Sequence, residues 1–268
     1  MGGWLGDFLE DGGHRVAVVD PRGAPTGRLS LPDVETAMRE AEVVVFATPI
    51  RQTAPLLKKA LAVRSEALIL DVLSVKAPIA PILQAAAENG RRVSSLHPMF
   101  GPSARTLSGR NLLVVSCGVA EADDAARSLF SASALTITDI PLGRHDRLIA
   151  ESLGLSHAVN LLFLATLASD PLSPHDLARA ASTTFHGQAA LAGSLAREGP
   201  ELYLDIQALN PHTWSTFDEL GEALTQLKRS IERHDVQAFR SLLDAGCAKL
   251  EGGSGPIRKG VGSPAPAS

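Results

Sequence analysis

Apolar and polar positions fall into two regimes along this chain. Up to about residue 141, short apolar runs alternate with amphipathic stretches. Residues 15–20, 41–47, 67–71, 92–96, 111–116 and 135–138 read as strands. Residues 31–40, 54–63, 77–89 and 121–131 read as helices between them, and Phe8 and Leu9 share the spacing of one helical face before Asp11-Gly12-Gly13. Continuous apolar strands separated by helices predict a parallel sheet covered on both faces. From His145 onward no strand run is convincing. Helical stretches cover 150–168, 176–195, 200–209, 212–233 and 235–250, the first apolar nearly all round, as for a buried helix or a subunit contact. Residues 252–268 are rich in Gly, Ser and Pro and are expected to be a disordered tail.

The start of the chain adds a cofactor to this picture. Met1-Gly2-Gly3 reads as the end of a glycine turn, and Asp20 closes the first apolar run 18 residues after Gly2. In a dinucleotide-binding unit an acid at that place accepts hydrogen bonds from the adenosine ribose; a surface aspartate ending a strand is the alternative. Thr48 and Pro49 end the next strand in a loop that would lie against the same ligand. Gly2, Asp20, Thr48 and Pro49 are therefore the candidate cofactor-binding residues. A carboxylate repels a 2′-phosphate, so NAD is expected, with Arg22 leaving room for NADP. The buried strand that precedes such a turn is missing from the sequence, and losing it would expose its neighbours' hydrogen-bonding edges. This leads to the expectation that the natural chain starts upstream of Met1. The fold class is α/β then all-α: a Rossmann-type domain over 1–141 without its first strand, an all-helical substrate and dimerisation domain over 142–251, and the tail.

Composition narrows the partners. Of 268 residues 45% are hydrophobic and 20% charged, an ordinary globular balance, and the net charge of −4 points to neither nucleic acid nor anionic membrane. There is no run of about 18 apolar residues and no signal peptide at the start. The two cysteines, Cys117 and Cys247, are far apart and lack metal-type spacing, so a reduced cytoplasmic protein without a metal is expected.

The candidate chemistry centres on Leu96-His97-Pro98-Met99-Phe100-Gly101-Pro102. Prolines stiffen the loop, and His97, expected just after a short strand, would project where open α/β sheets bind ligands. An imidazole there can take a proton at neutral pH; a histidine merely ordered by its turn is the plainer reading.

His97-Pro98-Met99-Phe100-Gly101-Pro102 resembles the signature of the prephenate dehydrogenase family. Asp71-Val72-Leu73-Ser74-Val75-Lys76, Arg144-His145-Asp146, His157 and the segment from Glu201 to Asn210 also resemble that family, in the same order along the chain. The resemblance implies NAD-dependent oxidative decarboxylation of prephenate. Hydride leaves C4 of a cyclohexadienyl ring, CO2 leaves C1 and the ring becomes aromatic. It implies His97 as base for the C4 hydroxyl, Ser74 orienting that hydroxyl, His157 in the substrate site and a homodimer. Where many relatives carry a carboxylate-clamping arginine, this chain aligns His186, with the neutral Gln188 nearby; histidine cannot form the bidentate fork. Arogenate or 4-amino-4-deoxyprephenate is then an alternative to prephenate, and a catalytically impaired binding relative is an alternative of another class. Lys76 is expected to pair locally or touch a ligand. His145 and Asp146 are expected at the interdomain corner, with a contribution to the site as the alternative, and Tyr203 and Asp205 as structural residues.

Overall fold

The computed structural model describes residues 1–169, 171–195 and 199–251; the expected tail lies outside them. Helix α1 (Gly2–Asp11) leads to β1 (Ala17–Val18) and β2 (Leu29–Ser30), which pair in parallel. Asp33 caps α2 (Val34–Glu40), accepting the Thr36 N–H at 2.7 Å. Then follow β3 (Val43–Phe46), α3 (Ile50–Ala62), β4 (Leu68–Asp71) and α4 (Ala80–Glu88), with β3 and β4 parallel. The next elements are β5 (Ser95–Pro98), β6 (Asn111–Ser116), α5 (Ala120–Ser128) and β7 (Thr136–Pro141).

A parallel bridge between Ile69 and Val93 joins β4 to the segment entering β5. The sheet is mixed, because β5 and β6 are antiparallel while β6 and β7 are parallel. Alternation within the strands splits the core in two. Val44, Phe46 and Ile69 pack with α2, α3 and α4, whereas Leu68, Leu70, Leu112 and Val114 pack with α1 and α5. Ser94 and Ser116 both donate to the Asp123 carboxylate, at 2.6 and 2.5 Å, which staples α5 to the sheet.

Three predicted elements differ from the structure. The run at 15–20 yields only the two residues of β1, and no pairing joins β1 to β3 among the described residues. The first long helix starts earlier than its apolar stretch, running from α6 (Leu142–Ile149) through Ala150–Gly154 into α7 (Leu155–Ala168). By length and composition alone, this span of 142–168 could cross a membrane. The stretch at 176–195 is two helices, α8 (Pro174–Ala180) and α9 (Thr183–Ser194), because Ala181 is extended and Ser182 caps α9 by accepting the Phe185 N–H. Helix α10 (Pro200–Leu209) completes a compact unit reaching to Thr213. A second unit begins at Trp214 and holds most of α11 (Thr213–Glu232) and all of α12 (Val236–Glu251), with His234 between them at φ 50°.

Candidate active site

His97 lies within β5 rather than after it, its backbone paired opposite Leu113. All four residues of β5 are buried, and His97 is only 3% exposed. Its loop is held from one side by α1, where the Trp4 ring meets the Phe100 ring edge-on with centroids 5.0 Å apart.

The ring of His97 has a partner that comes from the first turns of α6. His97 Nδ1 lies 2.9 Å from His145 Nε2, and His145 Nδ1 lies 2.6 Å from Asp146 Oδ1. The Asp146 carboxylate also accepts the Lys76 N–H at 2.8 Å and the Ala77 N–H at 2.7 Å. Burial works against this carboxylate, but the His145 ring and the two amides outweigh it and hold its pKa below the ordinary 3.8. An ionised Asp146 can only accept, so His145 carries its proton on Nδ1. The neutral His145 ring then has a bare Nε2, which accepts the Nδ1–H of His97. This leaves the lone pair of His97 Nε2 unprotonated, the state a general base requires. Burial first, then the neighbouring His145 and Lys76, push the pKa of His97 well below the usual 6.5. Burial likewise lowers His145, against the opposing pull of Asp146. The pair is therefore neutral at physiological pH.

Lys76 anchors this relay from below. It is 1% exposed, and its Nζ donates to Asp71 Oδ1 at 2.6 Å and to Leu96 O at 2.8 Å. Burial lowers the Lys76 pKa, and Asp71 opposes that shift. One residue thus binds both ends of the relay: its amide holds Asp146, and its ammonium holds the carbonyl next to His97. Ser74 is half-buried in the same loop, two residues before Lys76. Cys117, close to this cluster, has its thiol pushed up to about 12 by burial and the nearby carboxylates, so it stays protonated.

The other expected residues are spread over the helices. His157 on α7 is half-buried, meets Tyr203 edge-on at 4.6 Å, and its buried Nδ1 lacks a hydrogen-bond partner. Burial lowers its pKa from 6.5. Gln188 on α9 donates to Asn160 on α7 at 2.7 Å, which ties the two helices together. His186, two residues earlier on α9, is exposed and is not brought to the relay. Asp205 takes an ion pair from Arg51 at 2.6 Å, linking α10 to the first turn of α3.

The candidate cofactor residues fit a dinucleotide. A Cβ on Gly2 would lie 3.2 Å from Ala47 Cβ, so α1 approaches the end of β3 as closely as only glycine comfortably allows. Gly3, next in that first turn, opens onto free space. The turn carries no acidic side chain, and its unbonded N–H groups suit an anionic diphosphate. Thr48 Oγ1 is 2.7 Å from Thr53 Oγ1, and Pro49 precedes α3. Asp20 is bound by Arg22 through its amide at 2.8 Å and its guanidinium at 3.2 Å, which holds the carboxyl below its ordinary pKa.

Sequence reasoning places His145 and Asp146 at a corner, with a contribution to the site only as the alternative. The adjacent His-Asp pair was the available signal, but the contact to His97 spans 48 residues. Among the described residues no group of three or more His, Cys, Asp or Glu side chains could hold a metal.

Comparison with known proteins bears on the family of the chain. Residues 28–119 match the prephenate dehydrogenase nucleotide-binding domain and residues 143–245 the prephenate dehydrogenase dimerization domain. The 4-amino-4-deoxyprephenate dehydrogenase of Streptomyces pristinaespiralis is 32% identical over 216 residues, covering 79% of this chain and 71% of that protein. A probable arogenate/prephenate dehydrogenase of Methanocaldococcus jannaschii is 22% identical over 256 residues, 91% of this chain but 57% of that one. The crystal structure of Aquifex aeolicus prephenate dehydrogenase with hydroxyphenyl propionate and NAD+ shares the fold, with a TM-score of 0.73 at 18% identity over 94% of this chain and 95% of that one. Synechocystis arogenate dehydrogenase gives 0.69 at 19% identity, over 93% and 94%. With both domains matched in order around a buried His97, the chain belongs to the prephenate dehydrogenase family.

Proposed function

We propose that the chain catalyses NAD-dependent oxidative decarboxylation of a cyclohexadienyl substrate, with prephenate as the first candidate and 4-hydroxyphenylpyruvate as its product. The observation that carries this reading is the Asp146–His145–His97 relay, which presents an unprotonated Nε2. NAD, when bound, accepts the hydride from C4. His97 Nε2 takes the C4 hydroxyl proton as that hydride departs, and the imidazolium formed is stabilised through His145 by the Asp146 carboxylate. The proton returns to the same oxygen as CO2 leaves C1, so no net proton stays on the enzyme. Ser74 orients the hydroxyl. His157 contacts the substrate, and Gln188, with the exposed His186 two residues before it, offers donors to a carboxylate where a bidentate fork is lacking. Gly2, Asp20, Thr48 and Pro49 hold the cofactor.

A second reading has one specific support, the 32% identity to a 4-amino-4-deoxyprephenate dehydrogenase. The relay suits an amine at C4 as well as a hydroxyl, because either must yield an N–H or O–H proton to a neutral base. Measuring NAD reduction and CO2 release with prephenate, arogenate and 4-amino-4-deoxyprephenate separates the readings by kcat/KM. Failure of all three, with NAD still bound, would favour a non-catalytic relative.

The chain is also proposed to work as a homodimer in a reducing compartment. Leu161, Leu191 and Leu204 are 61%, 62% and 65% exposed on α7, α9 and α10, within the segment matching the dimerization domain. Sedimentation of a monomer at micromolar concentration would count against it.

A further inference from the structure

The long helix carrying His145 and Asp146 does not reach His157 as an uninterrupted α-helix. Residues Ala150–Gly154 form a π turn, and the Leu155 N–H donates to Ala150 O, five residues back. Such a turn amounts to one extra residue wound into an α-helix, which rotates everything beyond it by about 100°. His145 and His157 are 12 positions apart. On a regular α-helix that separation leaves their side chains about 120° apart. With one residue absorbed it behaves as 11, and the two directions differ by about 20°. The π turn therefore brings His157 onto the face that carries the relay.

A residue from a distant part of the chain braces this turn. Gln207 Nε2 donates to Gly154 O at 2.8 Å, across 53 residues, and its Oε1 accepts the Thr213 hydroxyl at 3.5 Å. Helix α10 also places Tyr203 against His157, and Asn210, the extended residue that ends the helix, donates its Nδ2 to Asp146 O at 2.8 Å. Helix α10 thus grips the long helix before, at and after the π turn, and Gln207 is the middle contact.

We propose that Gln207 is a positioning residue that holds the π turn in place, so that His157 points to the relay side and sets the affinity for the ring-bearing carboxylic acid. This rests on the reading of His157 as a substrate contact. The test uses the full chain with NAD present and measures calorimetric binding of 3-(4-hydroxyphenyl)propionate to His157→Ala, Gln207→Leu, their double variant and a deletion of Ser152, which returns the π turn to α-helix. Gln207→Leu and the deletion should each weaken binding about tenfold, while NAD affinity stays within about twofold. The double variant should bind no more weakly than His157→Ala alone, since Gln207 acts through that ring. Losses that simply add would show general loosening and overturn the proposal. So would unchanged binding by Gln207→Leu when His157→Ala is weakened, and the substrate reading would survive that result. Unchanged binding by His157→Ala would remove both. If the deletion variant does not fold, the Gln207→Leu cycle decides alone.

Discussion

The relay around His97 and the helices bearing His157, Gln188 and His186 are built to different standards. In the first, the ring nitrogens and carboxylate that set the tautomer have named partners: Asp146 takes two amides and a ring, and Lys76 ties both ends, while beyond the relay Asp71 Oδ2 is buried without a partner. In the second, His157 Nδ1 is buried without a partner, His186 is exposed, and the Gln188–Asn160 hydrogen bond and the Phe163–Phe185 ring contact join α7 to α9. A satisfied, buried network allows one arrangement, because any other leaves groups desolvated and unpaired. An incompletely satisfied region can accept different ligand groups. On the proposed function, the proton chemistry is built into β5 and α6, while choice among ring substituents belongs to the helices.

The sharpest break of this contrast is His97→Asn, expected to lower kcat by about 10²–10⁴-fold, the range for loss of a general base; near-normal turnover would remove the relay from the mechanism. Asp146→Asn should cost about 10²-fold or more, because an amide that donates to His145 Nδ1 reverses the relay and puts a proton on His97 Nε2. Steady-state kinetics on a variant with an unchanged melting curve checks this. Lys76→Met leaves Asp71 buried without its cation and should destabilise folding by about 3–5 kcal/mol. Denaturant titration should show part of that loss recovered by adding Asp71→Asn. On the other side of the contrast, His157→Ala should raise KM about tenfold and change kcat less, as expected for a binding contact. A drop in kcat as large as that of His97→Asn would erase the distinction.

The smallest effect concerns pH. His97, His145 and His157 all have folded-state pKa values below 6.5, so the unfolded chain takes up protons first on acidification. Stability from these groups is present above pH 6.5 and is lost as pH falls from there toward the folded values. Urea titrations at stepped pH should show that slope, and the double variant His97→Asn, His145→Asn should flatten it.

The α/β part was readable because runs such as Val43–Phe46 and residues 68–70 are apolar throughout and packed against helices on both faces, a local signal. Asp20, Thr48 and His97 are candidates on a similarly local ground, since strand ends are where this architecture binds ligands, although His97 lies within β5. The antiparallel pairing of β5 with β6 was not, because strand direction depends on how the 99–110 connection returns. The break at Ala181 was hidden by the segment Leu177-Ala178-Arg179-Ala180-Ala181, all strong helix formers, which local propensity reads as helix.

By itself the sequence determined the order of strands and helices, the change of regime near residue 141, and a histidine stiffened by prolines. It did so because burial periodicity and proline geometry act within a few residues. The tertiary structure alone decided that His145 meets His97, that Lys76 lies beneath both, and that Gln207 braces the turn before His157. Those contacts span 48, 20 and 53 residues. No local pattern encodes them, since each exists only where buried polar groups from separate elements must find one another on folding.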